Sequence, residues 1–333
     1  MKLYTKLLIT LLVSLSAFAQ SDNIGTGGAS ELLIPVFARN ISLGGSDLST
    51  VSGLNAIQTN PAGLVKARNS EATVSTMSYI ADIEVNFFGV SIKSETSSFA
   101  VWGKTVNVGD IEVTTLEEQN GTGRFYSPTL FHGGLTYSKQ LTDAITFGVT
   151  GKYIQETIER TDATGFALDF GIQYLHDSGI SLGFALKNIG GDLTFSGDNL
   201  NVSGSYPGST NNQNVTTQVL AQKFGLPVVF EVSMGYEYKL DEESVTNLYS
   251  RFKNNDKSDN LISGGLEYGY DSMFFARAGY ETFTSASEAN IFGAAFGLGL
   301  NLDMGGSSFK VDYAYRTAEF FDGSQVFTFL LEF

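Results

Sequence analysis

The chain has 333 residues, no cysteine, and a formal net charge of −15 from 20 Lys and Arg against 35 Asp and Glu. This acidity argues against nucleic acid as a partner, because a nucleic-acid interface needs a basic footprint. The lack of cysteine excludes disulfides, thiol chemistry and a lipoprotein anchor. The 37 Gly, 26 Phe and 15 Tyr, with only 17% charged residues, favour one kind of structure throughout the chain.

The first 19 residues have the pattern of a secretory signal peptide. Lys2 and Lys6 form a basic start, residues 7–13 are apolar, and Ala17-Phe18-Ala19 is a small–x–small cleavage signature. The apolar run is too short to cross a membrane as a helix. We therefore expect cleavage before Gln20 and export, which in a bacterium means the periplasm or the outer membrane.

The stretch at residues 38–64 carries neither helical nor strand periodicity. The stretch 38–64 is rich in Gly, Ser and Asn and ends in Asn60-Pro61-Ala62-Gly63-Leu64. Such a segment ahead of a large sheet is either a loose tail or is packed against or inside the closed sheet. The second arrangement is the one we expect, with residues 20–69 forming an N-terminal plug.

Residues 70–333 alternate between apolar and small or polar side chains with a period of two. In residues 164–176, for example, Phe166 and Leu168 share one face while Ala167 and Asp169 share the other. The pattern predicts about 14 antiparallel strands. Alternation alone does not distinguish a soluble sandwich from a membrane barrel, because both expose one face to water and one to an apolar phase.

The lengths of the connections distinguish these two folds. Short turns alternate with longer polar loops, the arrangement of outer-membrane barrels, although the hairpin near Ala81 is short and breaks the pattern. The last residues, 327–333, form an alternating strand that ends on Phe333. We therefore predict an all-β transmembrane barrel with both termini in the periplasm. The short turns are predicted at residues 94–96, 141–143, 177–179, 241–243, 271–272 and 304–306. The longer loops are predicted at residues 116–128, 159–163, 190–224, 254–259, 284–289 and 318–324.

Charged side chains on the polar face of the strands are predicted to line the lumen. They form either a structural network of ion pairs or a selectivity lining. A barrel of this strand number is too wide for its own side chains to fill, which supports the plug. The predicted charged lining consists of Lys152, Asp169, Glu231, Glu237, Glu267, Arg277, Glu281, Lys310, Asp312 and Arg316, together with Glu156 and Lys239.

Short motifs occur at residues 38–39, 43–45, 47–51 and 60–64, and others at residues 187–191, 226–227, 264–268, 277–281 and 311–315. The first set resembles the N-terminal segment of FadL-like barrels. The second set resembles, more narrowly, the PorV/PorQ family. The resemblance implies a non-enzymatic outer-membrane protein accessory to type IX protein secretion, which binds the sorting domains of cargo proteins through outer loops such as 190–224. It also implies an N-terminal hatch, whose matching residues are Ala38, Arg39, Gly44, Gly45, Asn60, Pro61, Ala62, Gly63 and Leu64.

Other functions remain open at this point. A FadL-like transporter of hydrophobic small molecules needs an apolar pocket against the hatch and a lateral opening, for which a bulge within residues 293–299 is a candidate. A passive pore is disfavoured by the plug. With only His132 and His176 on separate strands, we expect no metal site, no cofactor and no enzyme. Trp102 is assigned a lipid-facing or rim position.

Overall fold

The computed structural model describes residues 27–205, 214–285 and 290–333; the predicted signal peptide and residues 20–26 lie outside them. Residues 71–332 contain 14 long strands that follow one another in a single sheet. The strands are β1 (Glu71–Ser78), β2 (Glu84–Lys93), β3 (Ser97–Asn107), β4 (Thr129–Gln140), β5 (Ile145–Ile158), β6 (Thr161–Leu175), β7 (Ile180–Gly190), β8 (Val229–Lys239), β9 (Ser244–Asn255), β10 (Leu261–Tyr270), β11 (Phe274–Phe283), β12 (Phe292–Asp303), β13 (Ser308–Ala318) and β14 (Ser324–Glu332).

The sheet closes on itself. Each long strand pairs antiparallel with its neighbours in the chain, and β1 also pairs with β14 through a register that begins at Glu71 opposite Glu332. Closure leaves no long unpaired edge, so the backbone groups of the strands are satisfied within the sheet. The predicted antiparallel barrel of about 14 strands is confirmed.

Short turns lie at one end of the barrel and most long connections at the other, as predicted. Two short hairpins project from the long-loop end, one formed by Asn201–Ser205 with Asn214–Gln218 and one by Ile111–Glu112 with Phe125–Tyr126. The prediction of a longer loop at residues 159–163 is wrong. β5 and β6 extend to a turn at Glu159 and Arg160, and Glu159 adopts a left-handed φ of 53° that permits the tight reversal.

The outward face of the barrel is apolar. Large side chains such as Phe88, Phe166 and Leu298 are 55%, 72% and 65% exposed, on strands whose alternate residues are buried. Such an apolar belt around a closed sheet is stable only against lipid, so the protein sits in the outer membrane. No helix in the described residues is long and apolar enough to cross a membrane.

Residues 27–69, hereafter the N-terminal segment, consist of short 3₁₀ turns and one short helix, α1 (Ala38–Ser42). The segment begins beside the long loops, where the Gly28 amide donates to the Gly225 carbonyl at 3.3 Å. It ends at the short-turn end, where Lys93 Nζ donates to the Val65 carbonyl. Between these points α1 packs on β11–β13, the turn Ser46–Ser49 on β7–β9, and the turn Pro61–Lys66 on β4–β6. Because these strands lie on different sides of the ring, the segment runs inside it.

Inward-facing glycines make room for the backbone of the N-terminal segment. A Cβ atom at Gly148 would lie 2.2 Å from the carbonyl carbon of Pro61, and one at Gly279 would lie 2.2 Å from that of Leu43. A Cβ at Gly183 would lie 2.7 Å from the Leu48 carbonyl oxygen. Part of the glycine content of the chain therefore serves this close approach of two backbones.

This contact gives a matched pair of substitutions on one strand. Gly148→Val is expected to displace the turn that contains Pro61, because the clash is with backbone, at a cost of about 1–3 kcal/mol. Gly151→Val on the lipid-facing side of β5 meets only Leu168 Cδ2 at 4.0 Å and is expected to change stability by less than about 0.5 kcal/mol. Limited proteolysis and urea unfolding of the reconstituted barrels measure both effects; equal behaviour of the two variants would contradict this packing.

Trp102 lies inside the barrel, and its predicted lipid-facing or rim position is wrong. The side chain is 3% exposed, stacks on Phe87 with ring centroids 5.8 Å apart, and donates from Nε1 to Thr136 Oγ1 at 3.1 Å. Trp102 shares the inward phase of β3 with Ala100 and Lys104. The hydrogen bond to Thr136 satisfies the indole N–H, which would have no partner in hydrocarbon.

Candidate functional site

Asn60 holds the end of the N-terminal segment to the wall. Its side-chain Oδ1 accepts from the Ala62 amide at 3.2 Å, while Nδ2 donates to the carbonyls of Leu48 at 3.1 Å and Ile172 at 3.0 Å. Asn60 precedes a proline in the first turn of Pro61–Lys66, a position where proline fits without losing a hydrogen bond. One buried amide thus ties two parts of the segment to β6.

Arg39 joins the N-terminal segment to a different part of the wall, at β10. Its Nε and Nη2 donate to the two carboxylate oxygens of Glu267 at 3.0 and 3.1 Å, and Nη1 lies 3.5 Å from Asp47 Oδ2. Burial works against the charged guanidinium, but the carboxylates of Glu267 and Asp47 outweigh it and hold the pKa of Arg39 well above its ordinary value. Glu267 also accepts from Arg277 Nε at 2.6 Å, and Arg277 pairs with Asp312.

A second charged network lies nearer the long-loop end. Arg251 donates to Glu281 at 3.2 Å and lies 3.5 Å from Glu231, which also pairs with Lys187 at 3.0 Å. Arg316 Nη1 lies 3.4 Å from Glu281. Glu231 and Glu281 are therefore each shared between two cations.

The structure brings most of the predicted lining residues into these networks. Lys152 pairs with Asp169 at 2.8 Å, and Lys310 pairs with Glu332 close to the short-turn end. Glu156, Glu237 and Lys239 are the exceptions. The Glu156 Oε1 atom is buried and has no hydrogen-bond partner among the described residues. The Glu237 side chain is 46% exposed and lies 3.9 Å from that of Lys239, which is 74% exposed, near the end of β8 rather than in the lumen.

Other inward residues belong to the site although the predicted lining omitted them. Lys187 and Arg251 have the inward phase of their strands, so their position in the alternation was the available signal. His132 Nε2 lies 3.1 Å from Glu31 Oε1, and Lys104 Nζ donates to the carbonyls of Glu31 at 2.8 Å and Ile34 at 2.7 Å. These last contacts depend on the path of the N-terminal segment, which no periodicity encodes.

A cavity of about 450 Å³ lies between the N-terminal segment and the wall, in the half of the barrel nearer the long loops. One side is apolar and comes from residues 32–37 of the segment, with Phe283 and Phe292 at its edge. The other side carries charged residues of the second network. Tyr79 also lines the cavity, and burial raises the pKa of its phenol. The volume suits a small organic molecule.

The wall beside this cavity is incompletely paired. The ladder between β11 and β12 ends at Gly279 opposite Ala295, which leaves residues 280–283 and 292–294 without cross-strand partners on this side. The pairing of β12 with β13 also shifts register between Phe292 and Ala295, so a bulge occurs within the predicted glycine-rich region. We call residues 280–283 and 292–294 the β11–β12 seam. The Asn290 side chain bridges the seam at its outer end through Thr282 Oγ1 at 2.8 Å.

Across the three described ranges, no group of three or more His, Asp and Glu side chains is placed to hold a metal ion. What these ranges contain is a closed lipid-facing barrel, an internal segment and an amphipathic cavity beside a gap in the wall. That arrangement defines the class of outer-membrane barrels with an occupied lumen.

Several solved structures are similar to the chain over nearly its whole length. The monoaromatic hydrocarbon channel CymD superposes with a TM-score of 0.58 at 11% identity, covering 94% of this chain and 99% of that one. The toluene transporter TodX of Pseudomonas putida gives 0.58 at 11%, covering 90% and 97%. The toluene transporter TbuX of Ralstonia pickettii gives 0.58 at 11%, covering 90% and 99%.

At this identity the likeness concerns the fold, and it agrees with the closed antiparallel barrel predicted from the sequence. In sequence, neither a protein-family model nor a curated protein matches the chain. By their titles, these three structures are one channel and two transporters.

Proposed function

We propose that this protein is a non-enzymatic outer-membrane channel for small hydrophobic molecules. The observation that carries the proposal is the 450 Å³ cavity, whose apolar side is formed by residues 32–37 and whose edge reaches the β11–β12 seam. A hydrophobic solute gains free energy on entering such a cavity and again on passing into lipid. A passage through the seam leads from the cavity towards the lipid-facing side of the wall.

The N-terminal segment acts as the plug in this proposal. It contacts three sectors of the wall, and α1 is held to β14 by the Ala38 amide, which donates to Thr328 Oγ1 at 3.0 Å. Uptake then requires the solute to move past the segment, while ions and water are excluded. The partners are outer-membrane lipid and a hydrophobic ligand, without a cofactor.

The comparisons favour this function over the secretion role that the PorV/PorQ resemblance implied. CymD, TodX and TbuX are by their titles a hydrocarbon channel and two toluene transporters. Nothing in the comparisons supports cargo binding by the loop at residues 190–224. The role of toluene or a related compound as the substrate of this chain is part of the proposal, since 11% identity transfers only the fold.

A disulfide across the β11–β12 seam tests the route. Continuing the register of the ladder would place Tyr280 opposite Ala294, so Tyr280→Cys with Ala294→Cys locks the seam in a chain that has no other cysteine. We expect the oxidised variant to take up radiolabelled toluene no faster than cells without the protein. A reductant should restore uptake, because the barrel itself is unchanged.

The control is a disulfide across a seam that is already paired. Leu266 lies opposite Ala278 in the β10–β11 ladder, and Leu266→Cys with Ala278→Cys places a bond on the same strand and the same lipid-facing side. Its uptake should equal that of the unmodified protein in either redox state. Full uptake by the oxidised double variant of Tyr280 and Ala294 would rule out the seam, and no toluene uptake by the unmodified chain would count against the transport function itself.

A further inference from the structure

Two rows of polar side chains cross the lipid-facing side of the wall where β14, β1, β2 and β3 lie side by side. In one row Thr76 of β1 is opposite Asn86 of β2, and in the row above it Ser78 is opposite Glu84. All four residues are exposed and occupy outward-facing positions of their strands. The two rows continue on the neighbouring strands through Thr105, Asn107 and Gln325. These seven residues are hereafter the polar patch.

The polar patch lies at a level of the barrel where other strands carry large apolar side chains. Counted from the short-turn end of its strand, Glu84 is the tenth residue of β2, just as Phe131 is the tenth of β4 and Phe166 the tenth of β6. With a rise of about 3.3 Å per residue and a strand tilt of about 40°, this position is about 23 Å above that end, inside an apolar band about 25 Å tall. The polar patch therefore interrupts the band instead of lying above it.

The protein itself does not satisfy the polar patch. Within the three described ranges, the side chains of Thr76, Ser78, Glu84 and Asn86 make no hydrogen bond or ion pair. The connection between β1 and β2 spans only residues 79–83, which is the short hairpin that departs from the pattern of long loops at this end. An unpaired carboxylate at the level of hydrocarbon is costly, so a polar group from outside the chain is needed to cover it.

An apolar groove of about 340 Å³ lies on the same side of the wall, directly below the polar patch. Ala72 lies between Val90 and Leu331 in one row, and the row above it contains Phe88 and Phe329. The small side chain of Ala72 leaves room between these larger neighbours. This sector of the wall is thus apolar nearer the short turns and polar nearer the long loops.

We propose that the polar patch and the groove together bind one glycolipid of the leaflet nearer the long loops. Hydroxyl groups of its saccharide head donate hydrogen bonds to Glu84 and Asn86, and one acyl chain lies in the groove. The order of the two surfaces across the membrane matches the order of head group and chain in that leaflet. The site lies on the outer side of the wall, away from the internal cavity, so it does not depend on the proposed channel function.

The chemistry of the polar patch favours a hydroxyl-rich head group over the alternatives. Carboxylate and amide oxygens accept hydrogen bonds from hydroxyl groups, and a carboxylate accepts the stronger ones. A choline head group has no N–H or O–H to donate to Glu84. A second copy of the chain, docked through the same face, would bring its own unpaired Glu84 towards the first and would leave both carboxylates without a donor.

The test compares two lipids that have the same acyl chains and no net charge. Native mass spectrometry of the full mature protein in a polyoxyethylene detergent would use glucosyl dioleoylglycerol as the glycolipid and dioleoylphosphatidylcholine as the lipid without hydroxyl donors. We expect the glucosyl lipid to bind at a ratio of one per barrel and at least about tenfold more tightly, as charge-assisted hydrogen bonds imply.

Substitutions assign the binding to the polar patch and the groove. Glu84→Gln removes the charged acceptor and Ala72→Phe fills the groove, and each is expected to weaken the glucosyl lipid about tenfold. The matched controls are Glu95→Gln in a short turn and Ala276→Phe at an exposed, outward-facing position of β11, and both should keep the affinity of the unmodified protein. Faster migration of unboiled than boiled protein on a denaturing gel verifies that each variant is a folded barrel.

Equal affinity for the two lipids would overturn the proposal, and so would glucosyl lipid binding that neither Glu84→Gln nor Ala72→Phe weakens. A dimer in the same spectra that Ala72→Phe disrupts would assign this face to a second copy of the chain and would also overturn it. Uptake of hydrophobic solutes enters none of these measurements, so the result is separate from the test of the channel function.

Discussion

Deletion of residues 21–64 is expected to convert a closed barrel into an open, water-filled pore. A barrel of 14 strands encloses more space than its own side chains fill, and the inward charged residues would be hydrated once the N-terminal segment is gone. The strand ladder does not depend on the segment for closure, since β1 pairs directly with β14. Single-channel conductance in planar lipid bilayers measures the change.

A deletion of comparable kind outside the lumen provides the control for this experiment. Removing residues 201–218, which include the projecting hairpin of Asn201–Ser205 and Asn214–Gln218, should leave conductance unchanged. Outer loops tolerate such changes better than strands do. Both proteins should still show heat-modifiable migration. Equal conductance of the full-length protein and the protein without residues 21–64 would contradict the plug.

Glu267→Leu is expected to cost about 3–5 kcal/mol of stability, the largest effect of any single substitution in the described networks. Glu267 accepts hydrogen bonds from both Arg39 and Arg277, so its loss leaves two buried guanidinium groups with reduced compensation. Among the described residues, each keeps one acidic partner, Asp47 for Arg39 and Asp312 for Arg277. Urea unfolding in lipid vesicles, followed by loss of the fast-migrating band, gives the free energy of unfolding.

The matched control is Glu237→Leu. Glu237 belongs to the same predicted lining but is exposed, and its removal should change stability by less than about 0.5 kcal/mol.

The buried network also predicts that the effects of substitutions at Arg39 and Glu267 are coupled. In the background of Arg39→Met, Glu267→Leu should cost less than it does alone, because one of the guanidinium groups it would leave unpaired is already absent. Additive costs, or equal losses for Glu237→Leu and Glu267→Leu, would show that the network is not the source of stability.

The sequence by itself determined the barrel. Phe166 and Leu168 alternate strictly with Ala167 and Asp169. This alternation depends only on the local geometry of an extended chain, so it can be recognised without knowing how the strands pack. The contrast of short turns with long loops predicted a membrane barrel rather than a soluble sandwich. The same alternation identified Glu267, Arg277 and Arg316 as inward residues. Local sequence patterns specify this part of the fold because every strand has one face towards lipid and one towards the lumen.

The tertiary structure alone decided the properties that depend on where a strand begins and ends. Glu237 occupies an inward-facing position of its strand, but its side chain is exposed near the strand end, whereas that of Glu267 is buried. The alternation of side chains along a strand could not distinguish the two residues. The turn at Glu159 depends on how far β5 and β6 project past their neighbours. Both cases require knowledge of position along the barrel axis, which a period of two does not contain.

The path of the N-terminal segment was the other property that only the tertiary structure decided. Its aperiodic residues gave no direction, yet their path brings Arg39 to Glu267 and Glu31 to His132 across long sequence separations. The segment also forms the apolar side of the cavity, opposite the charged side chains of Arg251 and Arg316. Ion pairing and burial depend on which side chains lie close together in the folded protein. The ion pairs of the lumen therefore form only when the barrel closes around this segment, and the sequence alone does not show them.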